Sequence, residues 1–299
     1  MPLAVAFSFL AAVGFSCGYV LIRVGTQRVS ASTATFFTVF TGAALVVGLA
    51  LAFRLPDVAS LTPTAWGWIA LMGAMAYPFA RVLVSTAITM VGATRASPMN
   101  SLQPIFALAL AIAFLGERPN LLVGLGTPLL AGGLVLVVLA ESGGRSANHS
   151  LNINRLGYLL AIGGAVTFAG RDVISRHVVS GIAPPLVTAA FALAIGGAIL
   201  LVITHRDAMN SIRRVPKRYI AICALAGICQ GLAVAALFQA LSRAPVTVVS
   251  PINASSPLIT LALSYFFLGR LESINPVLVF GTLLSVGGVV IVILGAVAS

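Results

Sequence analysis

The chain has 299 residues, of which 60% are hydrophobic and only 8% are charged, with a mean hydropathy of +1.10. Soluble domains carry roughly 25% charged residues, and a chain this apolar would aggregate in water. The net charge of +11 does not indicate nucleic-acid binding, because the basic residues lie mainly between the apolar runs, where they set membrane orientation.

Ten apolar runs follow one another along the chain, each near the length of about 20 residues that a spanning helix needs. They lack the alternation of apolar and polar residues that barrel strands show. The sequence therefore predicts an all-α integral membrane protein. The predicted helices are Leu3–Ile22, Thr33–Phe53, Trp66–Val91, Ala96–Leu115, Leu121–Ala140, Leu156–Val173, Pro184–Ile203, Tyr219–Leu241, Val246–Leu268 and Asn275–Val297.

The two halves of the chain repeat each other, with a polar linker between them. We predict a first repeat at 1–141, a linker at 142–154 and a second repeat at 155–299. Five helices per repeat place the second copy upside down, so we predict ten transmembrane helices as two inverted five-helix repeats. The motifs that recur after 153 to 155 residues are Ser97-Pro98-Met99-Asn100 with Ser250-Pro251-Ile252-Asn253, Pro104 with Pro257, Phe114-Leu115-Gly116 with Phe267-Leu268-Gly269, Gly126 with Gly281, Gly132-Gly133 with Gly287-Gly288, and Val20-x-x-Arg23 with Val173-x-x-Arg176.

Basic residues in short loops indicate the orientation of the chain. The odd-numbered loops hold eleven Lys and Arg residues, and the even-numbered loops hold five. This count places the odd loops in the cytoplasm and both termini on the periplasmic side of a bacterial inner membrane.

The repeated motifs carry a resemblance to a known family. Two five-helix halves, each with a Pro-rich fourth helix ending in Phe-Leu-Gly and a Gly-Gly fifth helix, resemble the drug/metabolite transporter superfamily. More narrowly, the chain resembles its EamA-type ten-helix exporters and looks similar to the YddG-like amino-acid exporters. The resemblance implies export of aromatic or other neutral amino acids through a cavity lined mainly by helices one, three, four, six, eight and nine.

The family's usual Phe-Leu-Gly-Glu ending is kept in only one half. The first half has Glu117 at this position, whereas the second half has Arg270 there and an acid two residues later, at Glu272. Glu272 is therefore not assigned the role of Glu117.

Polar side chains within the apolar helices are costly and mark transport pathways. An Asn amide both donates and accepts hydrogen bonds, which suits the ammonium and carboxylate of an amino acid. The alternative is that these groups bond between neighbouring helices. The substrate-binding candidates are Tyr77, Arg81, Asn100, Gln103, Gln230, Asn253, Ser256, Ser16 and Tyr19.

Two charged residues within the predicted helices have specific candidate roles. Arg81 lies on the same face as Tyr77 and is either the counter-charge for a substrate carboxylate or a side chain that snorkels to the interface. Asp172 is the candidate for proton coupling. The alternative for Asp172 is an interfacial salt-bridge cluster with Arg176, four residues on.

Prolines within the fourth and ninth helices are candidate hinges. Each removes an amide donor and bends the helix axis, which frees a carbonyl for substrate or water. The candidate hinge residues are Pro98, Pro104, Pro251 and Pro257.

The motifs that are missing narrow the function. The sequence has no P-loop pattern, no HExxH and no nucleophile elbow, so we predict no enzyme activity, no cofactor and no metal site. We predict a secondary transporter that exports small polar or zwitterionic metabolites by alternating access. The alternatives are an exchanger of sugar- or phosphate-linked metabolites, a lipid-modifying membrane enzyme and a scaffold. The expected partners are substrate, lipid and protons, with a monomer favoured over a dimer.

Overall fold

The computed structural model describes residues 1–29, 31–91, 99, 101–142, 155–212, 216–268 and 276–298. Within these ranges the side chains of 31, 32, 77, 81, 85, 89, 141, 142, 203–212 and 265–268 are not described. The predicted linker beyond residue 142, the candidate residues Pro98 and Asn100, and the segment from Gly269 to Glu272 lie outside the described residues.

Helices make up the regular secondary structure of the described residues. The first repeat contains α1 (Pro2–Gly25), α2 (Ala31–Ala59), α3 (Pro63–Ala74), a π-helical turn (Met75–Phe79), α4 (Ala80–Val91), α5 (Gln103–Leu115) and α6 (Leu121–Ser142). The second repeat contains α7 (Arg155–Val179), α8 (Pro185–Ile212), α9 (Lys217–Leu241), α10 (Val246–Asn253), α11 (Ser256–Leu268) and α12 (Pro276–Ala298).

Eight spans among the described residues are long and apolar enough to cross a membrane. The predicted third helix is not one of them, because the π-helical turn at Pro78 divides it into shorter pieces. Pro78 has no amide hydrogen to donate to the preceding turn, and Ala80 N donates to Met75 O five residues back. The predicted fourth helix is described as a helix only over Gln103–Leu115.

The outer surface of the described helices is apolar. Large side chains such as Leu121, Val202 and Leu283 are exposed. In water such a surface would aggregate, whereas in a bilayer it faces lipid. The protein is therefore a multi-pass membrane protein.

Helices pair across the two repeats. The first helix of each repeat packs against the third of the other, α1 with α9 and α7 with α4. The second helices, α2 and α8, and the fifth helices, α6 and α12, pack against each other. Gly126 of α6 lies against Gly288 of α12, and Gly133, further along α6, lies against Gly281, which is earlier in α12. These two equivalent helices are therefore antiparallel, as an inverted repeat requires.

Four glycines bring the backbones of α6 and α12 together. A Cβ at Gly126 would lie 2.8 Å from Gly288 O, and one at Gly133 would lie 2.7 Å from Gly281 O. Gly126 and Gly281 are repeat equivalents, as are Gly133 and Gly288, so the two contacts are counterparts. We call this contact the glycine seam. Small residues allow this close approach between membrane helices.

Candidate functional site

The described residues of the Pro-rich segments contain a turn at equivalent positions in the two repeats. In the first repeat Leu102 N donates to Met99 O at 3.2 Å, and in the second Ser255 N donates to Ile252 O at 3.1 Å. Pro104 and Pro257, each two residues beyond the break, have no amide hydrogen with which to continue the α-helical pattern. Sequence analysis predicted bending by these prolines, and the structure has a two-residue turn, here called a helix break, at 254–255 between α10 and α11 and at 101–102 just before α5.

The two breaks face a cavity of about 340 Å³. Helices one, three, four, five, six and nine of the predicted numbering contribute its walls. The expected lining differs in one helix, because the fifth helix replaces the eighth among the described lining residues. The lining residues are Phe15, Tyr19, Val84, Ile88, Ser101, Gln103, Pro104, Leu134, Val138, Phe168, Arg171, Ser250, Asn253, Ala254, Ser256 and Pro257.

A charged pair lies at the wall of this cavity. Arg171 lines it, and its Nε donates to Asp172 Oδ1 at 3.1 Å, with a second contact from Nη2. Gln103 Nε2 donates to Asp172 Oδ2 at 3.1 Å. The Arg171 guanidinium also lies 5.7 Å from the centre of the Phe168 ring. Asp172 is buried behind Arg171, where its two carboxylate oxygens accept bonds from α5 and α7.

Asp172 does not pair with Arg176. Helix α7 continues six residues beyond its predicted end at Val173, so both residues lie within the helix. Arg176 donates through Nη1 to the carbonyl of Leu241, the last residue of α9. Of the alternative salt-bridge cluster, the structure contains the pair of Asp172 with Arg171, and Arg176 makes a separate contact.

Asn253 presents an unsatisfied acceptor. Its Oδ1 is buried and has no hydrogen-bond partner in the part of the chain that the structure describes. Asn253 is the last residue of α10 and lines the cavity. A buried acceptor without a partner costs about 1–3 kcal/mol, so this oxygen is suited to a ligand donor.

Ser16 binds the start of α11 and is not among the residues that line the cavity. Its Oγ lies 2.7 Å from Ala12 O and 2.8 Å from Ser256 O, and the side chain is fully buried. Ser256 itself lines the cavity. This contact positions the start of α11 against α1.

The other candidates are divided between the cavity and its surroundings. Tyr19 lines the cavity and is about half exposed, at 51%. Gln230 does not line it; its side chain packs against α1 at Gly18, where a Cβ would lie 2.5 Å from Gln230 Cγ. Tyr77 lies in the π-helical turn and Arg81 in α4. The side chains of both residues are among those that the structure does not describe.

Glu117 was not predicted to act at a helix end of the other repeat. Gly116 ends α5 in the left-handed conformation, with a φ of 65°, which glycine adopts without steric cost. The chain then turns so that Glu117 accepts bonds from Val246 N at 2.8 Å and Thr247 N at 3.0 Å. These are the first amides of α10, and a carboxylate there is favourable. The acid directly after a helix-ending glycine was the available sequence signal.

The model of the EamA-like transporter family matches residues 2–139 and, a second time, residues 155–294. This chain belongs to the EamA-like transporter family, whose members are membrane transporters of small molecules. A crystal structure of another protein is similar to this chain, with 21% sequence identity and a TM-score of 0.79. The similarity covers 99% of this chain and 98% of the other, and at this identity it shows the fold. No curated protein matches the chain.

Proposed function

We propose that this protein is a secondary transporter that exports small polar or zwitterionic metabolites, foremost aromatic and other neutral amino acids, across a bacterial inner membrane. The observation that carries the proposal is the cavity between the two broken helices, which combines Arg171, Asn253 Oδ1 and aromatic side chains. No enzyme activity is proposed.

Each part of an amino acid finds a matching group in this cavity. The Arg171 guanidinium suits a carboxylate, because its planar fork of donors matches the two oxygens. The buried Asn253 Oδ1 is an acceptor suited to an ammonium. Phe15, Phe168 and Tyr19 provide apolar ring surface for an aromatic or aliphatic side chain. Phe15 and Phe168 are repeat equivalents, 153 residues apart, so the cavity has one ring from each repeat.

We propose ten membrane crossings. Eight of them are the long apolar spans. The other two are the helical run of residues 63–91, which is the third crossing, and the segment ending in α5, which is the fourth. The fifth helices of the two repeats are antiparallel, which supports the inverted arrangement. The count of basic residues in the loops favours periplasmic termini.

Alternating access requires one face to close while the other opens. Three contacts lie at one end of the bundle, which we call the clasped end. Two of them join the repeats: Glu117 binds the start of α10, and the Arg243 guanidinium lies 5.1 Å from the centre of the Phe7 ring. The third, between Arg176 and the end of α9, lies within the second repeat. Transport would break these contacts and form counterparts at the other end, with the breaks beside Pro104 and Pro257 as hinges. Pro251 and Pro98 are the remaining hinge candidates.

We propose Asp172 as the proton-coupling group. It is a buried acid that lies directly behind the proposed carboxylate-binding residue. A substrate carboxylate and Asp172 would compete for the same guanidinium, so a proton on Asp172 changes how Arg171 meets the substrate. This competition gives a direct physical link between protonation and transport.

A sugar- or phosphate-linked substrate is the second candidate. A phosphate carries more charge than a carboxylate and needs several cationic donors, whereas Arg171 is the cation among the described lining residues of this cavity. A neutral amino acid fits one cation better.

Transport by purified protein in liposomes tests the proposal. Liposomes loaded with unlabelled amino acids should accumulate labelled L-phenylalanine by counterflow, and protein-free liposomes should not. Excess aromatic and neutral amino acids should suppress the signal, and sugar phosphates should not. Suppression by sugar phosphates alone would support the exchanger, and no counterflow with any compound would count against transport.

A further inference from the structure

A second cavity, of about 200 Å³, lies beside the central one. The two share Tyr19, Val138 and Pro257 in their walls. The remaining residues of the second cavity come from α1, α6 and α11, and they are Arg23, Val137, Thr260, Leu261 and Ser264. A small molecule leaving the central cavity past Tyr19 would enter this one.

The second cavity contains a buried hydroxyl without a hydrogen-bond partner. Ser264 Oγ has none among the described residues, and Ser264 is only 6% exposed. Ser264 lies one helical turn beyond Thr260, so both hydroxyls are on one face of α11. Thr260 Oγ1 donates to Ser256 O at 2.9 Å. An unpaired buried hydroxyl is costly, which indicates a polar occupant of this cavity.

The first repeat has no hydroxyls at the two equivalent positions. Residues 153 positions earlier are Ala107 and Ala111, which are completely buried within the main hydrophobic core. The position equivalent to Arg23 is Arg176, which binds Leu241 O at the clasped end. These two positions are therefore packed among apolar residues in the first repeat, whereas the equivalent positions of the second repeat line a cavity with polar walls.

We propose that the second cavity is a transit subsite for the carboxylate of the substrate, between the central cavity and the membrane face opposite the clasped end. Arg23 provides the positive charge, Ser264 Oγ provides a donor, and Tyr19 stands between the two cavities. The proposal rests on the proposed transport function, because it places a second stop on the same route. The shared chemistry of its occupant is a small anionic group.

Thiol labelling tests the subsite without a transport measurement. Ser264→Cys is made in a chain in which Cys17, Cys223 and Cys229 are replaced by Ala, and the protein is placed in phosphatidylcholine nanodiscs. The labelling rate is measured with a sulfonate-bearing methanethiosulfonate and with its uncharged methyl analogue. We expect Arg23→Gln to lower the ratio of anionic to neutral labelling about tenfold, because a cation in a low-dielectric cleft concentrates anions. Benzoate should slow the labelling, and benzamide, which has the same shape without the charge, should not.

Two controls make the result decisive. Ser60→Cys lies on an exposed turn after α2, and its labelling ratio should not respond to Arg23→Gln. Thr260→Cys, in the wall of the same cavity, replaces Ser264→Cys if that variant fails to reach the membrane.

Three results would overturn the proposal. The first is a thiol at position 264 that does not react with either reagent. The second is a ratio of anionic to neutral labelling that does not change with Arg23→Gln. The third is labelling that is slowed by added phosphatidylglycerol but not by benzoate, which would assign the cavity to a lipid headgroup. Arg23-dependent labelling with no counterflow of any amino acid would instead refute the proposed substrate and leave the anion site in place.

Discussion

Glu117 Oε1 accepts a hydrogen bond of 2.8 Å from the Val246 amide, 129 residues further along the chain and in the other repeat. Helix α10 has Pro245 as its N-cap, with no side-chain cap of its own. The carboxylate therefore supplies what the local sequence lacks. Because α10 ends at Asn253, this contact holds a segment whose other end lines the central cavity.

Replacing Glu117 with Gln should lower the stability of the folded protein by about 1 kcal/mol. Gln has only one acceptor oxygen, so one backbone amide of α10 loses its hydrogen bond, and the favourable charge interaction with the helix terminus is lost as well. Thermal unfolding in detergent measures the effect. Asp57→Asn is the control, because it removes an acid from a surface pair with Arg54 at 3.4 Å. Equal shifts for the two variants would show that Glu117 contributes no more than a surface charge.

The two glycines of the Gly132-Gly133 pair should respond differently to substitution. A Cβ at Gly133 would lie 2.5 Å from Ser285 N, whereas a Cβ at Gly132 meets nothing within 4 Å. Gly133→Ala should therefore destabilise the protein by about 1–3 kcal/mol through overpacking, and Gly132→Ala should leave stability unchanged or raise it. Unfolding midpoints in the same detergent compare the two, and similar values would contradict the glycine seam.

Arg171→Gln should weaken recognition of carboxylates. Loss of a charge-assisted hydrogen bond costs about 1.5–3 kcal/mol, so the KM for L-phenylalanine in counterflow should rise about tenfold or more. The double variant Arg171→Gln with Asp172→Asn controls for the carboxylate left unpaired, and it should show the same rise. Recovery of the normal KM in the double variant would show that Arg171 serves only to neutralise Asp172.

Asn253→Leu should reduce transport while leaving assembly intact, because it removes the unpartnered acceptor without disturbing a bond made by that oxygen in the structure. Counterflow rate and the gel-filtration profile are measured together. Asn100→Leu tests the repeat-equivalent position in the same way. Unchanged rates in both variants would remove the Pro-rich helices from the binding site.

Asp172→Asn should abolish any pH dependence of transport, because an amide neither gains nor loses a proton in the working range. Counterflow is measured across a pH series. Gln103→Leu is the matched control, because it removes a donor to Asp172 but keeps the carboxyl, so the pH dependence should remain. A pH profile that survives in Asp172→Asn would make Asp172 a positioning residue for Arg171.

The membrane class and the repeat were predictable because they depend on patterns repeated along the chain. Apolar runs predict ten spans, of which eight are found among the described residues, and the 153-residue offset pairs Pro104 with Pro257. The repeat thus predicts that whatever one proline does to its helix, the other does as well. The equivalent breaks in the two helices agree with this reasoning.

The partners of individual polar groups were not predictable, because they are set by packing between distant helices. Asp172 has a basic residue at the helical spacing, Arg176, but bonds to Arg171 and to Gln103 on another helix. Ser16 and Gln230 looked like lining residues and instead join α1 to its neighbours. Sequence spacing identifies faces of a helix, and only the packing decides which face borders the cavity.

The glycine seam has a mechanical consequence. Contacts between main-chain atoms have no rotamers to exchange, so Gly126 and Gly288 hold one fixed separation while side-chain contacts elsewhere can be remade. We therefore expect the seam to act as a fulcrum in the proposed alternating-access cycle: the two halves of the molecule would rock about it, and the distances across it would stay constant.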